Sequence, residues 1–414
     1  MIGSGWKRLV PLCLERAGAA PLTANISLLD IEDDAEGCKG FLQALLPHVP
    51  RISHLSLTGY APVTDVENIL PGFFASPMLN LTSLELEQAG YSTEFFPSRG
   101  TPAPQLFQNI SKLKSLHLGR TPLYPVLYNI ESLVELKAAY DRAPFQKFIG
   151  FLESNPNLEA IDLHITFAEA PASVTPERVV SFPRLKRLAL TCDNAVDSRA
   201  LLSYLSLPQG INLDIYGSMR NSCGDLASFL PCPPTLIQDC LAPITTVKCL
   251  RSVALHLFSN DGSFSFRNHI LPSKLCEEFN LFPTGAVREF HLHCRSYRDQ
   301  GQLSWPLERL PALEALAFDR TSVVPGFLSA LTKKPILCPS LKTIAFLNCM
   351  VSRETIDELE EVLAKRENSD ASRLHRVVIV YGIYELPRSD MIIRLQRLVP
   401  RVDIMVGDEL PDLL

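Results

Sequence analysis

The sequence has no apolar run near the roughly 20 residues that a membrane-spanning helix needs. Its opening stretch, Leu9 to Leu14, is cut short by Glu15 and Arg16, unlike a secretory signal. It has no Cys-x-x-Cys pair; its 11 cysteines are scattered, an odd count at loose spacing. That fits free thiols in a reducing compartment and argues against a disulfide framework. It has no excess of positive charge: 39 Lys and Arg against 45 Asp and Glu leave a net charge of −6. With no basic cluster interleaved with aromatics, neither a nucleic-acid partner nor a membrane partner is expected. A glycine-rich phosphate loop is missing too, since Gly3-Ser4-Gly5 lacks the rest of the pattern, and neither Gly-x-Ser-x-Gly nor His-Glu-x-x-His occurs. The expectation is a cytoplasmic or nuclear protein that is not an enzyme and has no cofactor or metal.

What the sequence has is repetition. The segment Pro-x-Leu-x-x-Leu-x-Leu, with conservative replacements, starts at Pro50, Pro156, Pro183, Pro311 and Pro339. Versions without the aligned proline include Leu81/Leu84/Leu86, Leu113/Leu116/Leu118, Leu133/Leu136, Val287/Phe290/Leu292 and Leu374/Val377/Ile379. Most spacings lie near the roughly 20–29 residues of leucine-rich repeats. The fold class expected is α/β, a curved leucine-rich-repeat solenoid with a mostly parallel sheet of about a dozen short strands and helices and loops on its convex side. Residues 1–48 read as an N-terminal cap, 49–383 as the solenoid and 384–414 as a C-terminal cap.

Between motifs, apolar residues at three- and four-residue spacing predict helices over Cys38–Leu46, Phe145–Glu153, Arg199–Leu205, Phe327–Lys333 and Ser352–Arg366. Ser352 is placed to cap the last, with Ile356, Leu359 and Leu363 buried and Lys365 and Arg366 favourably near its C-terminus. Ile211–Ile215 alternates as a strand should, and Ile26/Leu28 and Val402/Ile404/Val406 read as outer strands. The rhythm breaks at about 217–285, where Val253–Phe258 and Ser263–Phe266 read as a β-hairpin inserted into the solenoid.

Side chains alternate across a strand, so residues between the motif leucines share one open face. Along it, early and middle repeats present charge, histidine and Tyr216. The last three motifs present Ala315, Ala317, Ala345, Leu347, Val378 and Val380. An apolar stripe of that kind needs a cover, either a partner peptide or the chain's own tail from Tyr384 to Leu414. The candidate contacts for a protein ligand on the concave face are His117, Lys137, Asp162, His164, Asp214, Tyr216, His256, His291 and His293. His291 and His293 share a face, but Cys294 alternates away from it. The histidines therefore read as solvated strand-face residues and not as a metal site.

The N-terminus adds a resemblance. Trp6, followed by Leu12-Cys13-Leu14-Glu15-Arg16-Ala17-Gly18-Ala19-Ala20-Pro21-Leu22-Thr23, resembles the segment after the F-box in the large fungal F-box/leucine-rich-repeat families. Ala17 stands where those families carry serine. The resemblance implies a substrate-recognition domain in ubiquitin ligation, and a Skp-type adaptor as partner only if an F-box lies upstream. The leucine-proline-x-glutamate start of an F-box does not occur near the N-terminus. The alternative is a stand-alone binding scaffold or inhibitor with no link to a ligase.

Overall fold

A computed structural model describes residues 6–27, 35–59, 76–88, 110–119, 130–169, 179–208, 211–217, 226–231, 244–250, 254–259, 264–269, 279, 284–293, 305–319, 328–332, 336–349, 351–381 and 389–406. The chain is mixed α/β with large, mostly parallel sheet. It divides into two compact units: Met1–Cys192 with Ala200–Ile211, and Asp193–Arg199 with Asn212–Leu414. Among the described residues no helix is long and apolar enough to cross a membrane.

In the first unit β1 (Leu22–Ser27), β2 (Ile52–Gly59), β3 (Ser83–Gln88), β4 (Ser115–Gly119), β5 (Glu135–Ala143) and β6 (Ala160–Phe167) lie side by side in chain order. A two-residue strand β7 (Val180–Ser181) follows, then β8 (Arg187–Cys192), which pairs with β6; β7 itself pairs with β9 (Leu205–Ser206). Every one of these pairings is parallel.

The register explains why the motif repeats. Leu55, Leu84, Leu116, Leu136, Ile161 and Leu188 form one cross-strand row, and Leu57, Leu86, Leu118, Ala138, Leu163 and Leu190 form the next. All twelve are buried. Each strand buries its aliphatics against the row beside it, so a strand alone would leave them wet.

The lead-in to each strand repeats as well. The motif's first leucine closes a turn on the residue three before it: Leu81 N–H donates to Met78 at 3.1 Å, Leu113 to Ile110 at 3.0 Å, Leu133 to Ile130 at 2.9 Å. The next residue reaches across to the preceding copy: Thr82 N–H to Ser53 O, Lys114 to Thr82, Val134 to Lys114 and Glu159 to Val134, each at 2.8 Å. Backbone polar groups just outside the strands are thereby paired without side chains.

The helix Phe145–Glu153 has the expected bounds and buries Phe145, Phe148, Ile149, Phe151 and Leu152. Phe145 meets Phe167 and Tyr204 edge-on at 4.8 and 5.0 Å, a favoured aromatic geometry. At its end Asn155, buried, donates from Nδ2 to Phe151 O and accepts at Oδ1 from Ile130 N–H. One amide thus ties the helix to the preceding repeat. The expected helix at Cys38–Leu46 spans Ala35–Leu45, and the one at Arg199–Leu205 spans Ala195–Ser203.

The second unit contains β10 (Asn212–Gly217), β11 (Ile244–Leu250), β12 (Ala254–Ser259), β13 (Phe264–His269), β14 (Glu289–His293), β15 (Ala315–Asp319), β16 (Thr343–Leu347), β17 (Arg376–Tyr381) and β18 (Arg401–Val406). Their spatial order is β10-β13-β12-β11-β14-β15-β16-β17-β18. The hairpin expected in the insertion is β12 with β13, antiparallel. Strand β11 was not expected. It pairs antiparallel with β12 and parallel with β14, while β13 runs parallel to β10. The strand bearing His256, expected among the parallel repeats, therefore runs against them. From β14 to β18 every pairing is parallel again.

Ser352 caps the helix Arg353–Glu367 with a reciprocal hydrogen-bond pair to Thr355. Its buried face holds Thr355, Ile356, Leu359, Val362 and Arg366, and Leu363 is only half-buried. Arg366, expected only as a cation favourably placed near the helix C-terminus, is 1% exposed. Its guanidinium donates to the carbonyls of Leu337, Cys338, Pro339, Leu341 and Ser372 at 3.1–3.4 Å. Those carbonyls belong to the lead-ins of β16 and β17, including Cys338 at φ +49°. Charge-assisted bonds to converging carbonyls hold a turn that an L-residue adopts reluctantly.

Candidate interaction face

The face opposite the buried aliphatics carries the candidate residues. In the first unit one cross-strand row runs Ser56, Glu85, His117, Lys137, Asp162, Ala189, and the next Thr58, Glu87, Gly119, Ala139, His164, Thr191. The candidates His117, Lys137, Asp162 and His164 all fall in these rows, as the alternation predicted. Lys137 and His164 are exposed; His117 and Asp162 are half-buried. At the described positions of these two rows no side chain of β2 to β6 is aliphatic beyond alanine, so the rows are polar across five strands.

Its charges are partly fixed in place. Ser56 Oγ donates to one oxygen of Glu85 at 2.7 Å, and His117 Nδ1–H donates to the other at 2.8 Å. The Ser56 bond does most to hold the Glu85 carboxyl below the usual carboxylate range; partial burial opposes it, and His117 and Lys137 add to it. Ser115 Oγ likewise donates to Glu135 at 3.1 Å. Gly119 has a role of its own: a Cβ there would lie 2.8 Å from Glu87 Cγ and 3.3 Å from Glu87 Cα. The missing side chain lets Glu87 lie across β4.

In the second unit the insertion changes the rows. Tyr216, Arg267, His256, Lys248, His291, Ala317, Ala345 and Val378 stand in one register. Tyr216, His256 and His291 thus share one row, while Asp214 and His293 lie one alternation to either side of it. Tyr216 is exposed; Asp214 is half-buried, with a buried Oδ1 that has no hydrogen-bond partner. His256 and His293 occupy outer-face positions of β12 and β14, and their side chains lie outside the described residues.

His291 departs from expectation. It was read as a solvated strand-face histidine but is 2% exposed and hydrogen-bonded to Glu289 two residues earlier on the same face. Its neighbour in the row, Ala317, begins an apolar patch with Ala315, Ala345, Leu347, Val378 and Val380, all buried to within 3%. The stripe expected to need a cover is thus covered with no partner present. The described part of the tail, helix Ser389–Leu398 and β18, extends the sheet beside β17. Tail residues 384–388 and 407–414 lie outside the described residues.

Four charged or titratable residues of this face were missed by sequence reasoning: Lys248, Arg267, His269 and Glu289. The polar-apolar alternation of Ile244–Leu250 was the available signal for the first. Among the described residues no three His, Cys, Asp or Glu side chains are grouped to hold a metal. No family model matches the sequence, and no curated protein matches it.

Proposed function

We propose that the chain is a leucine-rich-repeat solenoid whose outer sheet face binds another protein, as the substrate-recognition part of an F-box-type ubiquitin ligase. The observation that carries the repeat reading is the in-register ladder of buried aliphatics, with its recurring turn and cross-repeat hydrogen bonds. A sheet that buries one face and leaves the other polar and half-buried to exposed over five strands offers a broad docking surface. The absence of a clustered titratable set among the described residues favours binding over catalysis.

The ligase reading rests on the phrase from Leu12 to Thr23, which the fold turns into a helix, Trp6–Arg16, leading into β1. A stand-alone scaffold or inhibitor, cytoplasmic or nuclear like the ligase component, is the second reading. Purified chain mixed with a Skp-type adaptor separates the two: a stoichiometric complex supports the ligase role. Protein ligands retained without the adaptor support the scaffold. Capture from native extract by wild type and by Lys137→Ala/Asp162→Ala/His164→Ala tests the face itself. Partners that wild type retains and the folded variant loses support the reading; equal retention refutes this placement.

A further inference from the structure

Strand β1 closes its ladder of aliphatics, and β18 leaves its own open. The ladder side chains of β1, Ala24 and Ile26, are buried. In the second unit one row runs Leu292, Phe318, Phe346, Ile379 and Ile404. The first four are exposed by 3% or less; Ile404 is 37% exposed, and Val406, two residues on, 76%. Val402, in the adjoining row beside Val377, is half-buried. Side chains of the kind that β14 to β17 bury here face water.

The backbone of β18 is open on the same side. Arg401 N–H donates to His375 O at 3.1 Å, which fixes the alternation of the strand. Arg401, Asp403 and Met405 turn their backbone groups toward β17, and Val402, Ile404 and Val406 turn theirs outward. Among the described residues no strand lies beyond that edge. An apolar edge with unpaired N–H and C=O groups is a template for one more strand. The three residues with outward backbone groups are the three that carry the uncovered aliphatic side chains.

We propose that β18 pairs antiparallel with β18 of a second copy of this chain, about a two-fold axis at Ile404. In that register Ile404 faces its own counterpart and Val402 faces Val406, so all three outward residues form hydrogen-bonded pairs. The axis puts the same sheet face of both copies on one side, and aliphatic meets aliphatic. Moving the axis to Asp403 would set Val406 against Pro400, which has no N–H to give. Such an isologous contact closes on two copies. Pairing with β1 of another copy gains less, because the ladder side chains of β1 are already buried. One strand pair is a small interface, so the dimer belongs in the micromolar range. It is independent of the proposed ligand face on β2 to β6.

Sedimentation velocity of the full chain over about 1 to 100 µM should show a reversible rise toward twice the 46.0 kDa chain mass. Ile404→Lys and Ile404→Glu, shown folded by circular dichroism, should each dissociate about tenfold more readily or more, because like charges then stand opposite one another. An equimolar mixture of the two should recover the dimer. If the strand does not tolerate a charge at 404, Val406→Lys, at a side chain already in water, should give the loss instead. Wild type that stays monomeric throughout overturns the proposal and leaves the edge to a strand from a different protein. Species larger than a dimer indicate pairing of β18 with β1 and overturn it too. So does a dimer that survives all three substitutions, or a mixture that fails to recover.

Discussion

Arg366→Met is the sharpest test of the packing described for the second unit. Methionine keeps an unbranched stem of similar reach and removes the guanidinium. The wild-type group is 1% exposed and donates to five carbonyls of the segments that lead into β16 and β17. Burial alone disfavours the charge and pulls its pKa down. Two effects therefore oppose each other. Removing the ion recovers its desolvation cost, whereas the five carbonyls lose charge-assisted donors, and such bonds contribute about 1.5–3 kcal/mol each before desolvation is counted. Some of those carbonyls keep a second partner: Leu341 N–H also reaches Cys338 O at 3.0 Å, and Ser372 N–H reaches Pro339 O at 2.7 Å. The net loss expected is about 3 kcal/mol, at the low end for breaking a buried charged network. Arg366→Lys should cost about 2 kcal/mol, because one ammonium has three donors and no planar fork. Urea denaturation followed by far-ultraviolet circular dichroism reads both, as a lower midpoint at unchanged slope. An Arg366→Met protein within about 1 kcal/mol of wild type would show that the turn at Cys338 holds itself, and that the guanidinium is a passenger.

Leu188→Asp, in the fully buried row of β8, should cost several kcal/mol or prevent folding, whereas Lys186→Ala two residues earlier loses only an exposed pair with Glu159 and should stay within about 0.5 kcal/mol; equal melting of the two would reverse the assigned strand facing. Asn155→Ala leaves the buried Ile130 N–H unpaired and should cost about 2 kcal/mol by urea denaturation. In Ser56→Ala the Glu85 carboxyl loses its main stabilising bond, so its titration, followed by carbon NMR, should move up toward the ordinary range. Because the wild-type pKa is depressed, the stability tied to Glu85 is present above the ordinary carboxylate pKa and lost as pH falls through the folded value; the variant, which keeps His117 and Lys137, should show a smaller acid-side decline. Ala345→Asp should destabilise strongly, and Ala139→Asp, at the half-buried outer position beside His164, by less than about 1 kcal/mol; similar losses would mean that the two units do not differ in outer-face exposure.

Much of the strand layout was legible, because it is written locally. The pairs Leu55/Leu57, Leu116/Leu118 and Ile161/Leu163 mark strand and facing together, and a one-residue slip between parallel neighbours with the same motif would turn leucines outward. The helix Phe145–Glu153 and the cap at Ser352 were legible for the same reason: period and capping chemistry lie within one turn. The insertion was half legible. Hairpin β12–β13 has a local turn, but the pairing of β11 with β14 joins residues some forty positions apart and leaves no local trace. Arg366 and His291 failed differently. Nothing in the local pattern marks either as buried and satisfied: Arg366 is buried against the carbonyls of the turn at Cys338, and His291 against Glu289 on its own strand. Burial of a charged residue is a property of its partners, which a one-dimensional pattern does not contain.

The contrast between the two outer faces narrows where a ligand can bind. Identical strand geometry produces a polar, accessible row in β2 to β6 and a sealed apolar one in β15 to β17. The alanines at 315, 317 and 345 are too small to shield themselves, and Leu347 and Val380 are too large to be hidden by strand neighbours alone. Their burial in a lone chain means that this part of the face is already closed to solvent. A ligand that docked there would have to displace what covers it and would forfeit the stabilisation of that contact. The insertion lies between the two regimes in chain order, with exposed Tyr216 at one end of its row and buried His291 at the other. On the proposed binding reading, ligand contacts therefore fall on the polar rows and not on the buried apolar stripe.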